Sequence, residues 1–262
     1  CGDDQDCHNS CDAGPCGGDL TTFFSEDFDS LATTPGLQPF PSESGGDGTD
    51  WLDLPSAQAG GSLGGWTMVK NADHTTQGVV EWDGWAFTDP AAWDEVAGQD
   101  RHLFALGSNV IAVADSDEFD DIEGATHFDA TLTTPAIDIS AAAPASILLM
   151  FDSSWVPEGA QVGTLTVSFD GAAEVEVLRF DGTKATAHSE TIEIALQNPE
   201  GAQSMTISWR KTGTNNWWWA VDNIFVRGFA SAGEGDSGGG GPTVAQLHAA
   251  CPAEMGSCEA DG

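Results

Sequence analysis

An all-β chain folded as a β-sandwich is what the sequence predicts, and three observations carry that expectation. From Thr21 onward, short apolar runs are bounded by Gly, Pro, Asp and Ser, which gives about ten short strands with turn signals between them. Several runs alternate with period two: Leu165, Val167 and Phe169 against Thr164, Thr166 and Ser168, and Met205, Ile207 and Trp209 against Ser204, Thr206 and Ser208. Such alternation puts one face in a core and the other in water. No convincing amphipathic helix precedes the C-terminal tail.

Residues 1–20 come first and have no apolar periodicity. Cys1, Cys7, Cys11 and Cys16 lie here, Cys251 and Cys258 lie in the tail, and the long stretch between holds none. An even count in end segments too polar to build a core favours disulfides and an exported protein, in a connectivity that spacing does not reveal. Two other readings stay open. Cys7, His8, Cys11 and Cys16 form a metal knuckle, although without the paired C-x2-C spacing of zinc sites, or Cys1 is lipidated in the manner of bacterial lipoproteins.

Strands are expected over 22–28, 65–69, 103–105, 110–114, 128–132, 146–151, 163–169, 175–180, 190–195, 204–209 and 218–227. Asp170-Gly171 and Asp181-Gly182 read as hairpin turns between neighbouring strands. Residues 29–66 are rich in Gly, Pro, Ser and Asp and are longer than an ordinary loop. Residues 81–123 carry Trp82, Trp85 and Trp93 near Asp83, Asp89, Asp94 and Asp100, then the run Asp115-Ser116-Asp117-Glu118-Phe119-Asp120-Asp121. Aromatic rings among acids suggest a carbohydrate platform on Trp82, Trp85 and Trp93 or a loop ordered by calcium; packing of the rings onto the sandwich is the plainer alternative. A second cation loop would use Asp115, Asp117, Asp120 and Asp121. The run fails the EF-hand template, because Phe119 stands at a ligand position and Asp120 where the turn needs Gly. Past Ala230, residues 231–242 are a Gly-rich linker by composition, and 243–262 form a short cysteine-bearing tail. The sandwich is therefore assigned to 21–230.

The most apolar run is Trp217-Trp218-Trp219-Ala220-Val221-Asp222-Asn223-Ile224-Phe225-Val226. As an unbroken strand it sets Trp217, Trp219, Val221 and Phe225 on one face and Trp218, Asp222, Ile224 and Val226 on the other. Two heavy faces suit a central strand. Asp222 is the odd member, since a buried carboxylate is costly unless it is hydrogen-bonded, paired or on a metal.

At 262 residues and 40% hydrophobic, the chain is long enough for one large β domain or two smaller ones. Its 42 acids against 7 Lys and Arg give a net charge of −35. That balance argues against nucleic-acid binding and against docking on anionic membranes. It fits solubility where salt screens the carboxylates, or binding of cations, with calcium as a structural cofactor. No apolar run approaches the ~20 residues of a membrane helix. No signal peptide is evident, so the chain reads as mature or as excised from a longer one.

Four short motifs in order bring a family into view: Phe24-Ser25-Glu26-Asp27-Phe28-Asp29-Ser30-Leu31, Gly65-Trp66-Thr67, Leu132-Thr133-Thr134-Pro135-Ala136-Ile137-Asp138-Ile139-Ser140 and Trp218-Trp219-Ala220-Val221-Asp222-Asn223-Ile224. They resemble the cleaved-adhesin or choice-of-anchor J type of domain, a MAM-like module of secreted bacterial surface proteins. The resemblance spans roughly 21–229. It implies a jelly-roll β-sandwich of concanavalin-like kind, a secreted or cell-surface location, no enzymatic activity, and recognition of a glycan or a surface protein. It also implies a calcium ion tying the first strand to the last, which by position involves Glu26 or Asp27 together with Asp222.

Two serine motifs carry little weight. Gly60-Gly61-Ser62-Leu63-Gly64 lacks the strand before and the helix after that a nucleophile elbow requires. Gly235-Asp236-Ser237-Gly238-Gly239 looks like a protease nucleophile motif, but too little chain follows to build a specificity pocket. The six His are scattered with no metal-binding pair. No catalytic residue is expected. The function expected is a non-enzymatic extracellular adhesion or recognition module, with carbohydrate among its ligands. The alternative is a structural subunit of a surface layer or fibre, in which copies of the chain join through their cysteine-bearing ends.

Overall fold

A computed structural model describes residues 20–30, 65–79 and 82–231. The cysteine-bearing ends, the Gly-rich linker and both serine motifs lie outside the described residues. The strands are β1 (Leu20–Glu26), β2 (Thr67–Lys70), β3 (Ala86–Thr88), β4 (Ile111–Asp115), β5 (Phe128–Thr133), β6 (Ile137–Asp138), β7 (Ile147–Trp155), β8 (Val162–Phe169), β9 (Val175–Asp181), β10 (Ala187–Leu196), β11 (Ser204–Gly213) and β12 (Trp218–Phe229). Two short helices accompany them, α1 (Pro90–Ala97) and α2 (Ser116–Phe119).

The strands form two six-stranded antiparallel sheets. A back sheet runs β10-β7-β12-β4-β3 with β1 added to β12, and a front sheet runs β2-β5-β11-β8-β9 with β6 added to β11. This is the jelly-roll β-sandwich expected. Alternating apolar residues meet between the sheets. Trp209 of the front packs edge-on against Phe151 of the back at 5.7 Å, and Phe180 lies 5.3 Å from Trp155 and 5.6 Å from Trp219. Gly163 is required by this packing: a Cβ there would stand 2.8 Å from both the Trp155 and the Trp219 rings.

The last strand is central, as its two heavy faces predict, with β7 and β4 beside it and β1 along its far half. Its facing differs from the simple alternation. Asp222 pairs with Asp152 and Phe225 with Met150, so β12 carries one extra residue, a β-bulge at Asn223 with φ 50°. The bulge reverses the parity of everything after it. Ile224 and Val226 therefore enter the core with Trp219 and Val221, while Phe225 turns outward with Trp218 and Asp222.

Three other expectations are corrected. A helix does exist: Asp89 caps α1 by accepting from the Ala91 and Ala92 amides, Pro90 opens it, and Gly98 ends it with φ 65°. Residues near 103 form a 3-10 turn, Arg101–Leu103, instead of a strand. Asp181-Gly182 is no hairpin, because β9 lies in the front sheet and β10 in the back. Asp170-Gly171 does close the β8–β9 hairpin, both residues having positive φ. Among the described residues no helix is long and apolar enough to cross a membrane.

Candidate functional site

The two outer faces of the sandwich differ in what covers them. Over β3, β4 and the start of β12 the back sheet is roofed by the segment holding α1 and the 3-10 turn, while Thr191, Glu193 and Ala195 on the outer side of β10 stay exposed. Trp218, on the outer side of β12, packs edge-on against Trp93 at 5.3 Å and under the Arg101 guanidinium at 4.6 Å. Every residue of β3 and β4 is buried. Among the described residues nothing roofs the front sheet.

Register writes that open face as rows across the strands. One row is Thr67, Thr133, Ser208 and Thr166; the next is Val69, Thr131, Arg210, Thr164 and Arg179; a third is Asp129, Thr212, Val162 and Asp181. Neighbours in a row stand about 4.8 Å apart. The core side of the same strands holds Met68, Leu132, Trp209 and Leu165, so period-two alternation alone delivers the hydroxyls outward. Asp129 anchors the face. It is buried, and Arg210 grips it with Nε to Oδ1 at 2.8 Å and Nη2 to Oδ2 at 2.7 Å, while Asn71 Nδ2 donates to Oδ1 at 2.7 Å. Burial works to raise the Asp129 carboxyl, but the Arg210 and Asn71 hydrogen bonds outweigh it and hold the group below its ordinary range. Val162, Thr164, Arg179, Arg210 and Thr212 line a shallow depression of about 190 Å³. No aromatic ring stands in these rows, whose outward side chains are hydrogen-bonding groups apart from Val162 and the exposed Val69.

The acidic run after β4 is built around a protein cation. Asp115 is fully buried and accepts from Trp93 Nε1 at 3.0 Å and Arg101 Nε at 3.0 Å. Arg101 Nη2 also reaches Asp115 at 2.9 Å, Asp117 at 3.2 Å and Glu118 at 2.9 Å. Asp115 Oδ1 caps α2 through the Asp117 and Glu118 amides. The second cation loop expected of Asp115, Asp117, Asp120 and Asp121 is thereby corrected: the Arg101 guanidinium takes the centre, and Asp120 and Asp121 follow at the end of α2. Burial, with Asp115 beside it, pushes the Glu118 carboxyl up to about 8.

Lys211 is the second cation that motif reading missed. It is fully buried on the core side of β11, donating to Trp217 O at 2.7 Å and to Ser116 Oγ, and burial pushes it down to about 7. A serine hydroxyl against a lysine that readily loses its proton is a nucleophile-and-base pairing. Here it is sealed: Ser116 and Lys211 have no solvent exposure, and the Ser116 hydroxyl donates to Asn216 O at 2.6 Å.

The expected clasp is only half assembled. β1 does pair with β12, with Glu26 opposite Ile224. The Glu26 carboxylate, however, accepts from the Phe28 amide at 2.9 Å and from Trp66 Nε1 at 3.1 Å, and Asp27 accepts from the Asp29 amide. Asp222 accepts from the Ser108 amide at 3.1 Å and the Asn223 amide at 2.7 Å. Burial pushes Asp222 up to about 7, and its acidic neighbours are Asp29 and Asp152 instead of Glu26 and Asp27. Among the described residues no group of three or more His, Cys, Asp or Glu is placed to hold a metal ion. The two amide donors favour the ionised Asp222 carboxylate, but burial and the neighbouring Asp29 and Asp152 outweigh them.

The tryptophan platform is corrected as well. Trp82, Trp85 and Trp93 are all 0% exposed, so none offers a ring face to a sugar. Trp85 packs on Trp219 at 5.9 Å and Trp93 on Trp218, which makes them part of the core.

No protein-family model matches the sequence, and no curated protein matches it. Solved structures with a similar course of the chain include the carbohydrate-binding module TmCBM61 in complex with β-1,4-galactotriose, at TM-score 0.40 and 13% identity over 70% of this chain and 99% of that one. The K3 cleaved adhesin domain of Lys-gingipain from Porphyromonas gingivalis gives TM-score 0.39 and 18% identity, over 62% of this chain and 90% of that one. The mannan-recognising carbohydrate-binding module TmCBM27 gives TM-score 0.39 and 7% identity, over 80% and 99%. No residue here takes a role from these likenesses.

Proposed function

We propose that the chain is a non-enzymatic extracellular recognition module that binds carbohydrate on the outer face of its front sheet. The observation that carries this reading is the row register. The outer face of the front sheet presents hydroxyls, an arginine–aspartate pair and a depression, all on strands and hence rigidly placed. The perturbed groups that would suggest catalysis, Glu118, Lys211 and Asp222, are sealed under the other sheet or inside the core. Calcium stabilisation stays within the proposal at Asp222 alone. Each Asp222 oxygen accepts one backbone N–H and keeps a lone pair for an ion, with Asp29 and Asp152 as the neighbouring carboxylates. A secreted or cell-surface location and ends joined by disulfides complete the reading.

A glycan array with the wild-type chain and with Thr131→Ala and Thr212→Ala tests it. Hits that both substitutions weaken support the face; hits that neither changes place recognition elsewhere. A second reading, assembly of copies through the cysteine-bearing ends, rests on composition, and a ladder on non-reducing gels that collapses with reductant decides it.

A further inference from the structure

Resting on that reading, we infer that the depression takes an uncharged glycan with neighbouring hydroxyls and rejects chains bearing uronate or sulfate. Register puts Arg210, Thr164 and Arg179 in one line across β11, β8 and β9, with the threonine between the arginines. Two strand spacings separate the arginine backbones by roughly 10 Å, a gap of sugar-ring dimensions.

Two guanidinium groups facing one depression would ordinarily mark an anion site. Here each is already answered. Arg210 is paired with Asp129 at 2.7 Å and Arg179 with Glu176 at 3.4 Å. Asp181 stands in the adjoining row, and Asp73 lies close enough to act on Arg210. Two cations thus face four carboxylates, Asp73, Asp129, Glu176 and Asp181, in a molecule of net charge −35. Beyond about 8 Å physiological salt screens distant charges, so this local balance decides, and it holds no positive excess to attract an anion.

What remains is hydrogen-bonding capacity. A guanidinium carries five N–H donors. Arg210 commits Nε and Nη2 to Asp129, and no hydrogen bond among the described residues engages its Nη1. Thr164 adds a hydroxyl that both donates and accepts, and Thr212, whose hydroxyl donates to Val162 O at 3.5 Å, adds an acceptor. Planar donors beside paired acceptors match adjacent sugar hydroxyls, each of which gives one hydrogen bond and takes another.

Affinity electrophoresis of the full chain tests the inference, with hydroxyethyl cellulose, galactomannan or laminarin in the gel against polygalacturonate, alginate or heparin, at low and at high salt. The expected result is retardation by at least one uncharged polymer, insensitive to salt. It weakens about ten-fold in Arg179→Ala and several-fold in Thr164→Val, with melting temperatures unchanged because both side chains are partly exposed. Retardation by an acidic polymer that Arg179→Ala abolishes overturns the inference while keeping the face as the site. Retardation that neither substitution alters, or none by any polymer, overturns both.

Discussion

The Arg101 guanidinium and the Asp115 carboxylate lie 2.9 Å apart with neither side chain open to solvent. Removing one partner of such a pair leaves an unanswered charge inside the protein. Asp115→Ala is therefore expected to lower stability by about 3–5 kcal/mol, and more if loss of the α2 cap adds to it. Urea denaturation reads this directly. A loss under about 1 kcal/mol would mean that Asp117 and Glu118 satisfy Arg101 without Asp115.

Stability should fall as pH rises through mild acid. Burial raises Glu118 to about 8 and Asp222 to about 7. The folded chain then keeps protons that the unfolded chain loses, so stability declines from about pH 4.5 to about 7, by up to about 1.4 kcal/mol per pH unit for each group. Lys211 acts oppositely. Burial lowers it to about 7, so above that pH the unfolded chain holds a proton the folded one lacks, and stability rises with pH. Melting temperature is expected to be highest near about pH 4.5, fall toward about pH 7, hold level to about pH 8 while Glu118 and Lys211 offset, and climb above that as Lys211 acts alone. Glu118→Gln should flatten the descent. A melting temperature climbing from about pH 5 to 7 contradicts this assignment.

Calcium has a sharp test at Asp222. Excess calcium should raise the melting temperature of the wild-type chain and of Glu26→Gln, whose carboxylate is occupied by Trp66 and Phe28, but not of Asp222→Asn. Identical wild-type melts in calcium and in chelator exclude the ion from this position.

Trp93 should behave as core. Trp93→Ala is expected to cost about 3–5 kcal/mol, the range for truncating a buried aromatic ring. Among glycan hits, any variant that still folds should bind as the wild type does. Selective loss of binding with unchanged stability would restore the platform.

Much of the fold was legible because its strands obey one periodicity. Leu165, Val167 and Phe169 against Thr164, Thr166 and Ser168 identify both the core side of β8 and the outward hydroxyls. The bulge at Asn223 was not, since nothing local distinguishes one extra residue in an apolar strand from plain alternation. Helix α1 left a signal that went unused: Asp89, Pro90 and Gly98 are a cap, an opening proline and a terminating glycine at the right spacing. The Arg101 cluster left none, because its members are drawn together by tertiary packing from 14 to 17 positions apart. The candidate site was half readable. Thr164 and Arg210 were visibly outward by period, but only strand pairing sets them beside each other and beside Arg179.

The pairing of Leu20 with Phe229 has a mechanical meaning. Antiparallel neighbours at the start of β1 and the end of β12 bring the first and last described strands out of the sandwich side by side, at one end. Tension applied between the segments that precede and follow them meets the β1–β12 ladder as a zipper, one rung at a time, instead of shearing all rungs together. A string of such modules held through both ends would yield at this seam first.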